Sequence, residues 1–252
     1  MNKLKLLTGL VRTYHIDQLL SYYLFNKNKW HLFNLKNNKN YLVRVKSRDF
    51  NTINENEIEE NYNKYLKAIK NPKVVIDIGA NIGCFSIDCS KNFKDCKIYA
   101  YEPFKESFDL MNINLKLNKI NNVSLECAAI TNKNGFVDLG IYDGMFEGNS
   151  IGQIWGKATT VEKVKSLKLK EVFSKNSIKH CDLLKLDCEG SEYEILENLD
   201  SKIFDKIQNI LMEYHSGREE VLRQILENNG FKVVIDRLSH KTGLLIASKK
   251  AN

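Results

Sequence analysis

A chain of 252 residues that is 43% hydrophobic and 27% charged reads as an ordinary globular protein, long enough for one sizeable core plus an appendage. Its 38 Lys and Arg outnumber 31 Asp and Glu by seven, but the lysines are spread along the chain, so the excess reads as a solvated surface and argues against a nucleic-acid partner. The six cysteines contain no C-x-x-C pair and several sit in apolar runs, which excludes a zinc site or a disulfide framework as an organising principle.

In chain order, Lys3 and Lys5 precede an apolar stretch from Leu6 to Leu24. Arg12, His15, Asp17 and Gln18 interrupt it, so it is neither a secretory core nor a membrane span, and reduced thiols without an export signal point to the cytoplasm. Leu7, Leu10, Val11, Leu19, Leu20, Tyr23 and Leu24 recur at near-helical spacing. This predicts one or two amphipathic helices covering part of the core, with a membrane-surface helix as the alternative. Trp30–Leu35 and Tyr41–Val45 alternate around Asn37-Asn38-Lys39-Asn40, a β-hairpin pattern, and Asn54–Ile69 reads as a helix.

From there short apolar strands alternate with helical segments, the signature of parallel βαβ units. Strands are expected at Lys73–Ile78, Lys97–Tyr101, Val123–Ala128, Leu183–Asp187, Ile207–Glu213, Phe231–Asp236 and Gly243–Ala247. Helices are expected near Gly83–Lys91, Lys105–Leu117, Ser191–Asn198 and Arg218–Asn228. The last two strands meet at Ser239-His240-Lys241 and form an antiparallel edge, so the predicted sheet is mixed but mostly parallel. Between the third and fourth of these strands, Gly135–Tyr142 and Ala158–Val164 look like strands around Asp143–Gly156, whose four glycines suit a mobile loop over a site. The expected organisation is an N-terminal extension over residues 1–70 and a catalytic domain over 71–252.

Val74–Gly83 carries the first chemical signal: an apolar strand, Asp77, then Gly79 and Gly83 in a turn that opens a helix. Gly79 permits a sharp turn and Gly83 close packing, while Asn81 lies between them. The G-x-x-x-G spacing differs from the dinucleotide fingerprint, whose helix N-terminus takes a pyrophosphate. S-adenosylmethionine has none; it asks for backbone amides, an acid near its ammonium group and an acid for its ribose diol. Asp77 suits the ammonium side, directly or through water. Glu102, at the end of the next strand and before Pro103, suits the diol because a carboxylate accepts from both hydroxyls. Ala128, after the third strand, offers a small residue against which an adenine can lie.

A second signal is Asp182–Glu192, where a strand end delivers Asp187, Glu189 and Glu192 around Gly190. The following strand ends in Glu213-Tyr214-His215, and a histidine there has the chemistry of a general base.

The runs IDIGANIGCFS, YEPF, AAI, LLKLDCEGSEYEIL and MEYH, in that order, resemble the FkbM-type methyltransferases from about Phe50 to His215. The specific part is the K-x-D-x-E-G-x-E pattern. The resemblance implies a class I methyltransferase fold of Rossmann-like α/β architecture: a seven-stranded, mixed, mostly parallel sheet with helices on both faces, plus the helical and hairpin extension. It also implies methyl transfer from S-adenosylmethionine to oxygen on a sugar, glycan or natural-product-like acceptor. Asp77, Gly79, Asn81, Gly83, Glu102, Pro103 and Ala128 then fall on the cofactor side, and Asp187, Glu189, Glu192, Glu213 and His215 on the acceptor side. Four carboxylates and a histidine also suit a divalent cation.

RNA methylation is an alternative, because the text from Tyr101 to Val123 is similar to archaeal-type tRNA guanine methyltransferases. The N-P-P-like motif of those enzymes is replaced here by DCEG. A non-catalytic binding module on the same fold is the other alternative. A lipid-linked acceptor would bring the chain to a membrane surface without any span.

Overall fold

The computed structural model describes residues 3–25, 29–59, 62–142, 148–151, 157–215 and 217–249. Seven strands form the central sheet: β3 (Val74–Ile78), β4 (Lys97–Tyr101), β5 (Val123–Glu126), β10 (Leu183–Leu186), β11 (Asn209–Tyr214), β12 (Phe231–Arg237) and β13 (Gly243–Lys249). They lie in the order β12-β13-β11-β10-β3-β4-β5, and only the β13 pairings are antiparallel. This is the expected mixed, mostly parallel sheet.

Strand alternation sorts the core into two layers. Ile76, Ile78, Tyr99, Tyr101, Leu184, Leu186, Ile210 and Met212 face one side, packed with α7 (Leu169–Lys175), α8 (Glu192–Glu197), α9 (Ser201–Phe204) and α10 (Glu219–Asn228). Val75, Ile98, Leu183 and Leu211 face the other side, under α5 (Cys84–Asn92), and Ala100 faces α6 (Lys105–Leu117). Register decides what the sheet presents at its carboxyl edge. Asp77 pairs with Ala100 and with Lys185, and Leu186 pairs with Met212, so Gly79, Glu102, Asp187 and Glu213 emerge side by side. The chain order reverses between β3 and β10, which is where open α/β sheets bind ligands.

The N-terminal elements cover the α5–α6 side. They are α1 (Lys3–Thr13), α2 (Ile16–Leu20), a π-helical turn (Ser21–Phe25), the antiparallel hairpin β1 (Trp30–Asn34) and β2 (Asn40–Arg44), α3 (Asp49–Glu57) and α4 (Asn63–Leu66). Two asparagines one turn apart on α6 satisfy the free edge of β2. Asn114 Oδ1 accepts from the Leu42 amide at 2.7 Å, and Asn118 Oδ1 accepts from the Asn40 amide at 3.0 Å. Arg44 and Asp49 form a buried two-pronged pair at 2.9 and 2.7 Å, and Arg44 also donates to Ser107 on α6. The hairpin is therefore bolted to the catalytic core, and α3 is aimed at the sheet's carboxyl edge.

Two expectations change. The single helix over Asn54–Ile69 is two: α3 begins at Asp49 and ends at Glu57, and α4 is one turn. The physical reason is competition by asparagine, since Asn63 Nδ2 donates to the Asn56 carbonyl at 3.0 Å and takes an acceptor from the helix end. The third strand ends at Glu126 rather than Ala128, and the chain then enters a separate four-stranded sheet. That sheet is β6 (Ala129–Thr131), β7 (Gly135–Ile141), β8 (Ser150–Ile151) and β9 (Thr160–Lys168), in the order β6-β9-β7-β8. Most of the glycine-containing Asp143–Gly156 segment lies outside the described residues, Gly148 to Ile151 excepted.

Candidate active site

A cleft of about 320 Å3 opens at the carboxyl edge of the sheet. One half is made by the glycine turn and β4. Gly79, Asn81 and Gly83 take φ values of +74°, +49° and +94°, so the turn needs three left-handed residues within five. A Cβ on Gly79 would sit 1.7 Å from the Asp187 carbonyl, and one on Gly83 would sit 2.8 Å from Met111 Cγ. Both glycines therefore serve close approach of chain to chain, and Gly83 does not line the cleft. Gly79 and Ala80 donate their amides to the Tyr101 carbonyl, both at 3.0 Å.

Glu102 lines this half and is 7% exposed. Its Oε2 accepts from the Asn81 amide at 2.8 Å and its Oε1 from the Phe104 amide at 2.9 Å, which leaves further lone pairs on both oxygens. Burial pushes its carboxyl up to about 7, more than these two amides and the distant Arg44 and Lys185 charges pull it down. Pro103, Ala128, Ala129 and Ile130 complete the wall.

Asp77 is not on that wall. Alternation puts it with Val75 on the α5 face, fully buried, where Ser86 Oγ donates to Oδ2 at 2.7 Å and Lys185 Nζ stands 3.3 Å from Oδ1. Its nearest partners are thus Ser86 and Lys185, beneath the cleft wall rather than on it. Lys185 is itself 2% exposed, donates to the Gly79 carbonyl at 2.8 Å and lies 3.5 Å from Asp187. Burial alone would strip its proton, but Asp77 and Asp187 more than compensate and raise its pKa. One ammonium thus ties together the glycine turn, the buried acid and the acid on the cleft. The K-x-D pattern carries no sequence signal for this role of Lys185, which depends on the strand lying opposite it. Lys185→Met should cost about 3–5 kcal/mol of stability, because it strands Asp77 as an unpaired buried charge. Urea unfolding checks this, and a variant as stable as wild type would show that Asp77 is held by other means.

The second half is the acid-rich turn after β10. Glu189 adopts φ +53° and Gly190 φ +102°, and Glu192 folds the turn by accepting the Cys188 and Gly190 amides, each at 2.9 Å. Glu192 is fully buried and does not line the cleft; it positions Asp187 and Glu189, which do. Its Oε1 also lies 3.3 Å from His215 Nδ1, while His215 Nε2 is 3.3 Å from Glu189 and 3.9 Å from Glu213. Burial opposes charge on His215, but the hydrogen bond to Glu192 and the charges of Glu189, Glu192 and Asp187 push it up to about 10. At neutral pH this histidine is an imidazolium among carboxylates. Glu213 is pushed up to about 7, first by burial and then by Asp187, although His215, Tyr62 and Lys185 pull the other way.

One site residue went unseen. Tyr62, from the N-terminal extension, donates to Asp187 Oδ2 at 2.9 Å and lies 3.2 Å from Glu213 Oε2, and it packs edge-on against Phe85. Its hydroxyl bridges the two strand-end acids. A lone tyrosine 125 residues upstream of Asp187 carries no sequence signal for such a place.

The sequence of this chain matches the methyltransferase FkbM domain over residues 77–233, which includes every site residue placed on the sheet edge. Methyltransferase sdnD of Sordaria araneosa is 27% identical over 195 residues, 65% of this chain and 75% of that protein. Methyltransferase 1 of Beauveria bassiana is 24% identical over 184 residues, 65% of this chain and 74% of that one. Trm5b of Pyrococcus abyssi shares the fold with a TM-score of 0.50, covering 89% of this chain and 56% of that chain at 15% identity. With the family's domain spanning the glycine turn, Glu102 and the acidic turn, this chain belongs to the FkbM methyltransferase family and is an S-adenosylmethionine-dependent methyltransferase.

Proposed function

We propose that the chain methylates a hydroxyl oxygen of a polyhydroxylated acceptor, a sugar, glycan or similar natural product. The observation that carries this is the division of the cleft: a cofactor half of Gly79, Asn81, Glu102 and Ala128 faces an acidic half of Asp187, Glu189 and Glu213. The residues fit S-adenosylmethionine, since Asn81 Oδ1 and Ser191 Oγ, both on the cleft, are buried polar atoms without a hydrogen-bond partner among the described residues. Glu102 would hold the ribose diol and Ala128 the adenine. The cofactor supplies an electrophilic methyl group on a sulfonium, a good leaving group.

Asp187 then removes the acceptor proton. His215 is unsuited to that step because it already carries a proton at neutral pH; it holds Glu189, Glu192 and Glu213 in place instead. Tyr62 keeps Asp187 and Glu213 aligned. Arg48, Thr52, Glu55, Asn56 and Thr242 also line the cleft, and this polar set suits a molecule with many hydroxyls. The carboxylates that accept protons would repel a phosphate backbone, which disfavours RNA. The free thiols favour the cytoplasm, and among the described residues no helix is long and apolar enough to cross a membrane.

A second reading has one observation behind it: Asp187, Glu189 and His215 each offer a ligand atom within 4.8 Å of the others, a set that fits a divalent cation. Radiolabelled methyl transfer onto a panel of glycosides, polyols, phenols and tRNA decides between these readings. Transfer to hydroxyl acceptors that survives chelation is the expected result. Transfer confined to tRNA would overturn the acceptor class, and activity lost to chelation but restored by magnesium would give the three ligand atoms to a metal.

A further inference from the structure

The N-terminal elements are apolar on two sides. Leu10, Leu19 and Tyr22 pack inward against the core beneath the hairpin. Facing outward are Leu7 and Val11 on α1, then Ile16, Leu20, Tyr23 and Leu24 on α2 and the π-helical turn, and Trp30 and Leu32 on the outer face of β1. These make eight of the fourteen large hydrophobic side chains exposed among the described residues, and Leu7, Tyr23 and Leu24 are each at least 60% exposed. Their spacing is that of helix stripes and of one strand face, so each element is short of a partner on its outer side. Hydrogen bonds hold the elements as a unit: the Asn34 amide donates to Gln18 Oε1 at 3.0 Å, and Lys36 Nζ donates to the Val11 carbonyl at 2.6 Å.

Charge says what that partner is. Residues 1–48 contain ten Lys and Arg and a single acid, Asp17, a formal net charge of +9, in which Arg44 and Lys39 are neutralised by inward-facing pairs with Asp49, Glu57 and Asp88. Lysines and arginines continue through the remaining residues, but there 28 of them are balanced by 30 acidic side chains, a net charge of −2, so the imbalance that composition alone reads as a solvated surface comes from the scarcity of acids in the segment that carries the apolar faces. Lys5, Arg12, Lys29, Lys36, Lys46 and Arg48 are exposed there. A second copy would bring like charges together, and a nucleic acid would answer the cations but leave the aliphatic side chains in water. An anionic lipid surface answers both, with Tyr23 and Trp30 suited to the headgroup level.

We propose that α1, α2, the π-helical turn and the outer face of β1 form a peripheral docking surface for an anionic bilayer. The apolar side chains enter the headgroup region and the lysines and arginines lie over lipid phosphates. Tyr23 packs edge-on against Phe50 of α3, and α3 supplies Thr52, Glu55 and Asn56 to the cleft, so the docked face lies one helix away from the cleft. The surface stands independently of the acceptor chosen above.

The test is co-sedimentation of the full chain with vesicles of phosphatidylcholine alone and of phosphatidylcholine mixed with phosphatidylglycerol. Wild type should partition onto the mixed vesicles, weakly onto the neutral ones, and less as salt rises. Leu20→Glu with Leu24→Glu should weaken partitioning by roughly tenfold or more, and Lys5→Glu with Lys29→Glu should abolish the preference for phosphatidylglycerol; unchanged binding of S-adenosylhomocysteine certifies that both variants are folded. If the leucine pair perturbs the fold, the lysine pair alone carries the test. The proposal is overturned if wild type ignores both vesicles or the folded variants partition as well as wild type. It is equally overturned if wild type is a dimer that the leucine variant splits, or if wild type binds tRNA rather than vesicles and the lysine pair abolishes that binding.

Discussion

Asp187→Asn should bind S-adenosylhomocysteine as wild type does while its turnover falls by about 10^2–10^4-fold. The carboxylate lies on the cleft wall between Lys185 at 3.5 Å and the Tyr62 hydroxyl at 2.9 Å, and the amide is close to isosteric, so the cofactor half keeps its shape. What disappears is the ionised carboxylate that is proposed above to take the acceptor proton. Single-turnover methyl transfer, with ligand affinity measured separately by calorimetry, distinguishes this from a binding defect. Turnover equal to wild type would remove Asp187 from the proton-transfer step and leave Glu213, whose carboxyl sits near 7, as the base.

The second large effect is expected at Glu102. If both ribose hydroxyls donate to this carboxylate, Glu102→Ala should weaken S-adenosylhomocysteine binding by about 3 kcal/mol, roughly a hundredfold or more. Part of that loss reflects the glycine turn, because the same carboxylate holds the Asn81 amide. Glu102→Gln, which keeps an acceptor oxygen, should lose less.

A pH profile isolates the charge. Burial raises this carboxyl to about 7, and donors on the ligand favour its ionised form, so the bound-state value must be lower. Binding therefore releases a proton, and affinity should fall as pH drops below about 7, with a limiting slope of tenfold per pH unit. Above that pH the curve should be flat. Glu102→Gln should be flat throughout, and a wild-type profile without any break would mean that the diol is held elsewhere.

Much of this protein was written in local text. The strands of the main sheet follow from short β-branched runs, and the helices from their spacing, because burial against one sheet repeats with the period of each element. Gly79 and Gly83 announced the turn, since no other residue takes those conformations at so little cost. The acids Glu102, Asp187, Glu189 and Glu213 were visible as strand-end carboxylates, and the sheet register brings them together at one edge.

What tertiary structure decided is everything that depends on which chain segment lies opposite. Asp77 read as a cofactor ligand because it stands beside the glycine turn, yet the register of β3 against β10 sets Lys185 across from it and buries both. Glu192 read as a member of the acidic cluster, and only the left-handed turn at Glu189 and Gly190 folds it back beneath the loop. His215 read as a base because its unperturbed pKa lies near neutrality, but the charges of three strand-end and turn carboxylates lift it to about 10. The second sheet forms by pairing Ala129–Thr131 with Ser166–Lys168, and Tyr62 crosses from the extension to the acids. Composition and periodicity determine which residues are apolar and how each segment winds; long-range pairing determines which charges share a low-dielectric space, and that sharing sets their protonation and their roles.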